Sequence, residues 1–158
     1  MAGSEWRVAS SEAGRVFHDV TLDDLGLIRL YVLETGTARG CDMAALSELI
    51  VAVNEAVANI VRHGYQNQPG EVKVTVVCSR DVVEVILLDD GPGFDPTTVG
   101  VPDTTRPLAE RPFGGMGVHM MRNFCDELRY RRDSRGRNEL ILLKRIDLRG
   151  TRYNLVLH

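Results

Sequence analysis

Glu55 and Asn59 stand four residues apart in the run Glu55-Ala56-Val57-Ala58-Asn59. On a helix that spacing puts a carboxylate and a carboxamide on one face, one turn apart. The carboxamide offers a neutral oxygen of the kind Mg²⁺ accepts. The carboxylate can orient or deprotonate an attacking hydroxyl or water. Alone, the pair fits a solvated polar face equally well. Farther along, Asp89-Asp90-Gly91-Pro92-Gly93-Phe94 follows the apolar Leu87-Leu88. An acid at the end of an apolar strand is partly buried and must find donors. The exocyclic amino group of a purine is one such donor, and Gly91 and Gly93 allow backbone to approach a flat ring. Asp-Gly and Pro-Gly are also ordinary turn dipeptides.

A third stretch, Gly114-Gly115-Met116-Gly117, opens a helical pattern. Free N–H groups at a helix start, with glycine permitting close approach, suit a phosphate. No Lys-Ser/Thr follows, so the run is not a P-loop, and no parallel βαβ pattern surrounds it, so it is not a Rossmann fingerprint. The stretch from Gly91 to Phe113 has neither helical nor strand period. Five of the six prolines, at 92, 96, 102, 107 and 112, fall in it. Structureless loops of this length are uncommon inside compact domains and tend to be lids or disordered segments. Its Arg106 and Arg111 could swing onto a triphosphate.

These residues need elements to hold them. Thr21, with Asp23 and Asp24 after it, is a helix start, and a helix is expected over about 22–34, ended by Gly36 and Gly40. Asp42 caps a second helix over about 43–63, whose Leu46, Leu49, Ile50, Val53, Val57, Ile60 and Val61 fill one arc. Glu48, Glu55, Asn59 and Arg62 fall roughly opposite that arc, and Gly64 is the stop. Val72, Val74 and Val76 alternate with polar residues, and 82–88 reads VVEVILL, so the two form a hairpin about Ser79-Arg80-Asp81. A third helix starts near Gly114–Gly117 and turns Val118, Met121, Phe124 and Cys125 inward. Strands are expected at 15–20, 127–132, 138–146 and 151–157. Helices flanking consecutive antiparallel strands predict an α+β, two-layer sandwich.

Chain length and composition agree. With 158 residues there is room for one domain, residues 1–158. Nineteen basic and twenty-two acidic residues give a net charge of −3, which argues against a protein built to neutralise a phosphate backbone. No apolar run is expected to reach the roughly 20 residues of a membrane span, and residues 1–15 show no secretory leader. Cys41, Cys78 and Cys125 have no metal-ligand spacing and are expected as thiols in a reducing cytoplasm. Arg129, Arg131, Arg132, Arg135 and Arg137 crowd one hairpin. With only Tyr130 interleaved, they are expected to form a solvated edge or meet an acidic protein rather than nucleic acid.

The order of the motifs is more specific than any one of them. ExxxN on a helix, DxGxG after a strand, a long lid and GxG opening a helix resembles the ATP site of the GHKL (Bergerat) ATPases over about residues 15–146. Asn54–Asn67, Asp89–Pro96 and Gly114–Leu128 are similar to the three motifs of the bacterial anti-sigma-factor serine kinases. Phe113 stands where histidine kinases carry the first glycine of a longer run.

That resemblance implies a Bergerat fold with a mixed, mostly antiparallel sheet, covered on one face by about three helices, and an ATP lid at about 91–113. It implies Glu55 as the base or hydroxyl-orienting carboxylate, Asn59 as the Mg²⁺ ligand and Asp89 as the adenine contact. Gly91 and Gly93 would shape the base pocket, and Gly115, Met116 and Gly117 would border the phosphates. Arg62, His63, Arg106 and Arg111 complete the implied ATP-binding set. The implied activity is transfer of the ATP γ-phosphoryl to a serine of a STAS-type anti-anti-sigma antagonist, with sequestration of a sigma factor. The implied state is a cytoplasmic homodimer bound to neither nucleic acid nor membrane. A non-catalytic, ATP-gated binding module of the same fold is the alternative, and a stand-alone ATPase ranks third. Retention of Glu55 favours the kinase, because binding alone needs Asn59 and Asp89 more than a base.

Overall fold

A computed structural model describes residues 14–93, 95–98, 105, 107 and 115–146, with the backbone alone for residues 115 and 116. Thr21 opens the first helical segment with a capping box. Its hydroxyl accepts from Asp23 N, and Asp24 Oδ2 accepts from Thr21 N at 2.8 Å. A 3₁₀ turn, Leu22–Asp24, leads into helix α1, Leu25–Ala38. The helix therefore runs past the expected stop at Gly36. That glycine is buried within it, because a Cβ there would lie 2.5 Å from a Leu46 methyl. The close approach of two helices, not a chain reversal, is what Gly36 serves. The reversal falls at Gly40, with φ +72°.

Helix α2, Met43–Asn59, is capped by Asp42, whose side chain accepts from Ala45 N at 3.3 Å. It continues as a π-helical turn, Ile60–Gly64, closed by Tyr65 N donating to Ile60 O at 2.8 Å. Of the predicted arc, Leu46, Leu49, Val53, Val57, Ile60 and Val61 are buried and Ile50 is partly buried. Asn59, expected on the polar side, is buried too, at 5% exposure. Helix α3, Gly115–Phe124, packs across α2 and covers it. The continuous helix Met43–Gly64 also corrects the expectation that no apolar run is long enough for a membrane. Its 22 residues include a window of mean hydropathy 1.5, but 61% of that window is buried in the fold. Core helices meet the same criterion because burial, like a bilayer, selects apolar side chains.

Five strands form one sheet in the order β1-β2-β3-β5-β4. They are β1, Arg15–Phe17; β2, Val72–Cys78; β3, Val82–Asp89; β4, Glu127–Arg132; and β5, Asn138–Arg145. Every described ladder is antiparallel, so the parallel pairing implied by a mixed sheet is absent among the described residues. The architecture is the α+β helix-on-sheet sandwich expected from the element order. Val72, Val74, Val76, Val83, Val85, Leu87, Leu140 and Leu142 form the sheet's side of the core; α1, α2 and α3 supply Ile28, Val32, Leu49, Val53, Val118 and Met121. The predicted strand at 151–157 lies outside the described residues.

Register is what positions the chemistry. Asp89 pairs with Val72 on one side and Asn138 on the other, and Asn138 pairs with Arg132. Val72 pairs in turn with Phe17, so one row crosses all five strands at the end of the sheet beside the C-terminal end of α2. At the opposite end, Cys41 and Cys78 are joined in a disulfide with Cα atoms 5.4 Å apart. This corrects their reading as thiols. Residues 37 apart in sequence become neighbours because the α1–α2 turn lies against the end of β2. Cys125 remains a free, buried thiol, pushed up to about 12 by burial.

The arginine-rich hairpin is an ion-paired edge. Arg129 pairs with Glu127 at 2.7 Å, Arg131 with Glu139 at 2.7 Å and Arg137 with Asp133 at 2.8 Å. Such pairs add little stability at a surface, but charge on a terminal strand discourages sheet-to-sheet association.

Candidate nucleotide site

An open cleft lies between the end of α2, the ends of β3 and β5, and α3. Ala56, Asn59, Ile60 and Gly64 line it from α2 and its π turn; Met121 from α3; Asp89, Tyr130, Asn138 and Leu140 from the sheet; and Pro92 and Pro96 from the loop after β3. The walls are mainly apolar, with a few polar groups converging, which suits a flat heterocycle recognised at one edge.

Asp89 is 7% exposed. Its Oδ1 accepts from Gly91 N at 2.9 Å and from Asn138 Nδ2 at 2.9 Å. Burial pushes the carboxyl above the usual carboxylate range, and those two hydrogen bonds and Arg132 only partly oppose the shift. Gly91 is required by closeness: a Cβ on it would sit 3.0 Å from Gly64 O and 3.1 Å from Asp89 Oδ1. Tyr65 fastens the same corner. Its hydroxyl donates to Glu71 O at 2.6 Å and accepts from Asp90 N at 2.9 Å. The loop after β3 is held to α3 by Arg122, whose Nη2 donates to Thr97 O at 2.8 Å.

Glu55 and Asn59 come together under α3. A Cβ on Gly117 would lie 3.0 Å from Glu55 Oε2 and 3.5 Å from Asn59 Oδ1. The glycine at the third position of α3 is therefore the gap through which the two side chains reach the helix start. The Asn59 amide is buried, and its Nδ2 has no hydrogen-bond partner among the described residues. A buried amide without a partner costs free energy unless a ligand completes it. Among the described residues no group of three His, Cys, Asp or Glu could hold a metal by itself. A lone amide oxygen fits Mg²⁺, which keeps waters and takes most of its oxygens from a phosphorylated ligand.

The structure thus brings Asn59 and Asp89 to one cleft, with Glu55 and Gly117 beside Asn59 and Gly91 beside Asp89. Gly93 is exposed beside Tyr130 and Arg132, where a Cβ would lie 3.3 Å from the Tyr130 hydroxyl. Gly115 and Met116 belong to the first turn of α3. Arg62 is exposed, and neither it nor His63 lines the cleft. Arg106 and Arg111 lie outside the described residues. Sequence reasoning missed Asn138, Tyr130 and Tyr65. The one signal for Asn138 was an amide at the head of a strand with the apolar centre Leu140–Leu143, and its meaning depends on the β3–β5 register.

The model of the family described as "Histidine kinase-like ATPase domain" matches residues 19–144. Proteins named serine-protein kinase RsbW from Bacillus cereus (strain AH187), Bacillus thuringiensis subsp. konkukian (strain 97-27) and Bacillus mycoides (strain KBAB4) are each 26% identical to the chain over 113 residues. The matches cover 69% of this chain and 71% of each relative.

Proposed function

The chain belongs to the histidine kinase-like ATPase domain family, and on that premise we propose that it is an anti-sigma factor with serine protein kinase activity. It passes the γ-phosphoryl of ATP to a serine of a small anti-anti-sigma protein and sequesters a sigma factor when that antagonist is phosphorylated. The observation that carries the proposal is the meeting of Glu55 and Asn59 at Gly117, at one end of a cleft whose other polar wall is Asp89. Base recognition and phosphoryl chemistry then have separate ends of one site. The kinase relatives support the reaction type.

Asp89 accepts the adenine amino group, and Ile60, Met121 and Leu140 flank the ring. Asn59 would hold Mg²⁺, and the ion would supply charge neutralisation at the phosphates. Glu55 orients the acceptor serine and takes its proton. The serine oxygen bonds to the γ-phosphorus as the bond from that phosphorus to the bridging oxygen breaks, and ADP leaves with the electron pair. Catalysis of this kind comes mainly from positioning and electrostatics.

Incubation with labelled ATP and candidate antagonist proteins from the same genome tests the proposal. Label is expected on a partner serine. Glu55→Ala should lower transfer by about 10²–10⁴-fold, with MgATP affinity changed only a few-fold. Tight partner binding with no transfer by the parent chain would identify an ATP-gated binding module instead.

A further inference from the structure

Asp89 presents two carboxylate oxygens, and the protein takes only one. Oδ1 receives the Gly91 and Asn138 donors, while Oδ2 accepts none among the described residues. Asn138 is buried at 3% exposure. Its Nδ2 donates to Asp89 Oδ1 and also to Gly91 O at 2.8 Å. Its Oδ1 accepts from the Tyr130 hydroxyl at 2.6 Å and from Arg132 Nε at 3.3 Å. Asp89 Oδ1 and Gly91 O can only accept, and the guanidinium can only donate, so just one orientation of the amide satisfies all of them.

The donor count carries the consequence. An amide nitrogen has two hydrogens, and both are engaged. The Gly91 N–H is engaged as well. The donors that touch Asp89 are thus all taken by the protein, and one carboxylate oxygen is left over. A 6-amino purine meets a free carboxylate oxygen there. A 6-oxo purine meets that same oxygen with its own, and neither Asn138 nor Gly91 has an N–H to spare for it.

We infer that Asn138, backed by Tyr130, is the positioning residue that sets base selectivity, by committing Asp89 Oδ1 to the protein and leaving Oδ2 to an exocyclic amino group. The inference rests on the assignment of Asp89 to the base.

The test measures dissociation constants of the full chain for MgATP and MgGTP across pH 5.5–8.5, with folding of each variant followed by circular dichroism. The parent should prefer ATP by roughly 10–100-fold, the worth of a hydrogen bond to a charged group. Asn138→Ala should cut that ratio about tenfold. Asn138→Asp keeps the shape and replaces the donor by a second carboxylate. Its ATP affinity should fall at high pH and recover toward acid pH, where one proton shared by the two carboxylates restores a donor to Asp89. Tyr130→Phe, which keeps the ring, should lower the ratio several-fold and remains informative where a position 138 variant fails to fold. Folded variants that keep the parent's ratio and pH profile would overturn the inference. Asp89→Asn separates the two claims. If it loses ATP while the position 138 variants behave as the parent, the role of Asn138 fails alone. If it binds ATP as the parent does, the assignment of Asp89 fails and the inference with it.

Discussion

At the scale of the residue, burial of Asp89 costs stability, as expected of a group kept for the proposed adenine contact. Burial raises its carboxyl above the ordinary value of 3.8, outweighing the hydrogen bonds from Asn138 and Gly91. A raised carboxyl disfavours the ionised form in the fold relative to the unfolded chain. That cost grows as pH rises from the ordinary value through the folded one and is complete above it. Asp89→Asn keeps an oxygen for the same two donors and removes the charge. Its melting temperature, taken against the parent, should therefore climb as pH rises across that interval. It should also lose the MgATP protection that reaches about 2.7 kcal/mol for the parent at 100 times Kd. Thermal scans from pH 4 to 8, with and without MgATP, read both; a variant less stable than the parent at pH 8 would contradict the burial argument. Glu55, Asn59 and Asp89 were legible in sequence because their spacing and neighbours are local. The burial of Asn59 was not. A helical wheel about α2 alone set it opposite the core, and only the passage of α3 over it, permitted by Gly117, encloses it.

At the scale of the element, α1 and α2 show where local preference yields to packing. Glycine inside a helix costs about 1 kcal/mol against alanine, so Gly36→Ala would be expected to stabilise an isolated α1. In the fold the added Cβ would lie 2.5 Å and 2.8 Å from the two Leu46 methyls, and Leu46 is fully buried. Overpacking of that kind costs about 1–3 kcal/mol, so a net loss of stability is expected, measured by denaturant unfolding. Gly36→Ala combined with Leu46→Ala should recover part of the overpacking cost. The same contact explains why the predicted end of α1 fell short. A glycine looks identical in sequence whether it ends a helix or lets two helices meet. The start of α1, the cap at Asp42 and the β2–β3 hairpin were legible because capping and alternation are local signals.

At the scale of the whole molecule, the sheet separates two ends with different tasks. The row Val72–Asp89–Asn138–Arg132 marks one, and the Cys41–Cys78 bridge marks the other, at the far end of β2. A bridge over a separation of 37 residues should contribute about 3–4 kcal/mol by loop closure. Reduction should lower the unfolding midpoint accordingly and leave the MgATP dissociation constant unchanged. A shift in that constant on reduction would show that the two ends are coupled. Helices and strands, and their α+β arrangement, could be read from periodicity. Neither the bridge nor the partnership of Asp89 with Asn138 could be, since both join residues distant in the chain. The antiparallel register has a practical side for anyone who would splice this chain. Side chains alternate faces along a strand, so a single added residue inside β5 would turn Asn138 away from Asp89. The Ser79-Arg80-Asp81 turn lies at the opposite end, closed by its own Ser79 N to Val82 O bond. New termini or a grafted reporter placed there would leave the row in step, which makes that turn the natural port of entry for reshaping the molecule.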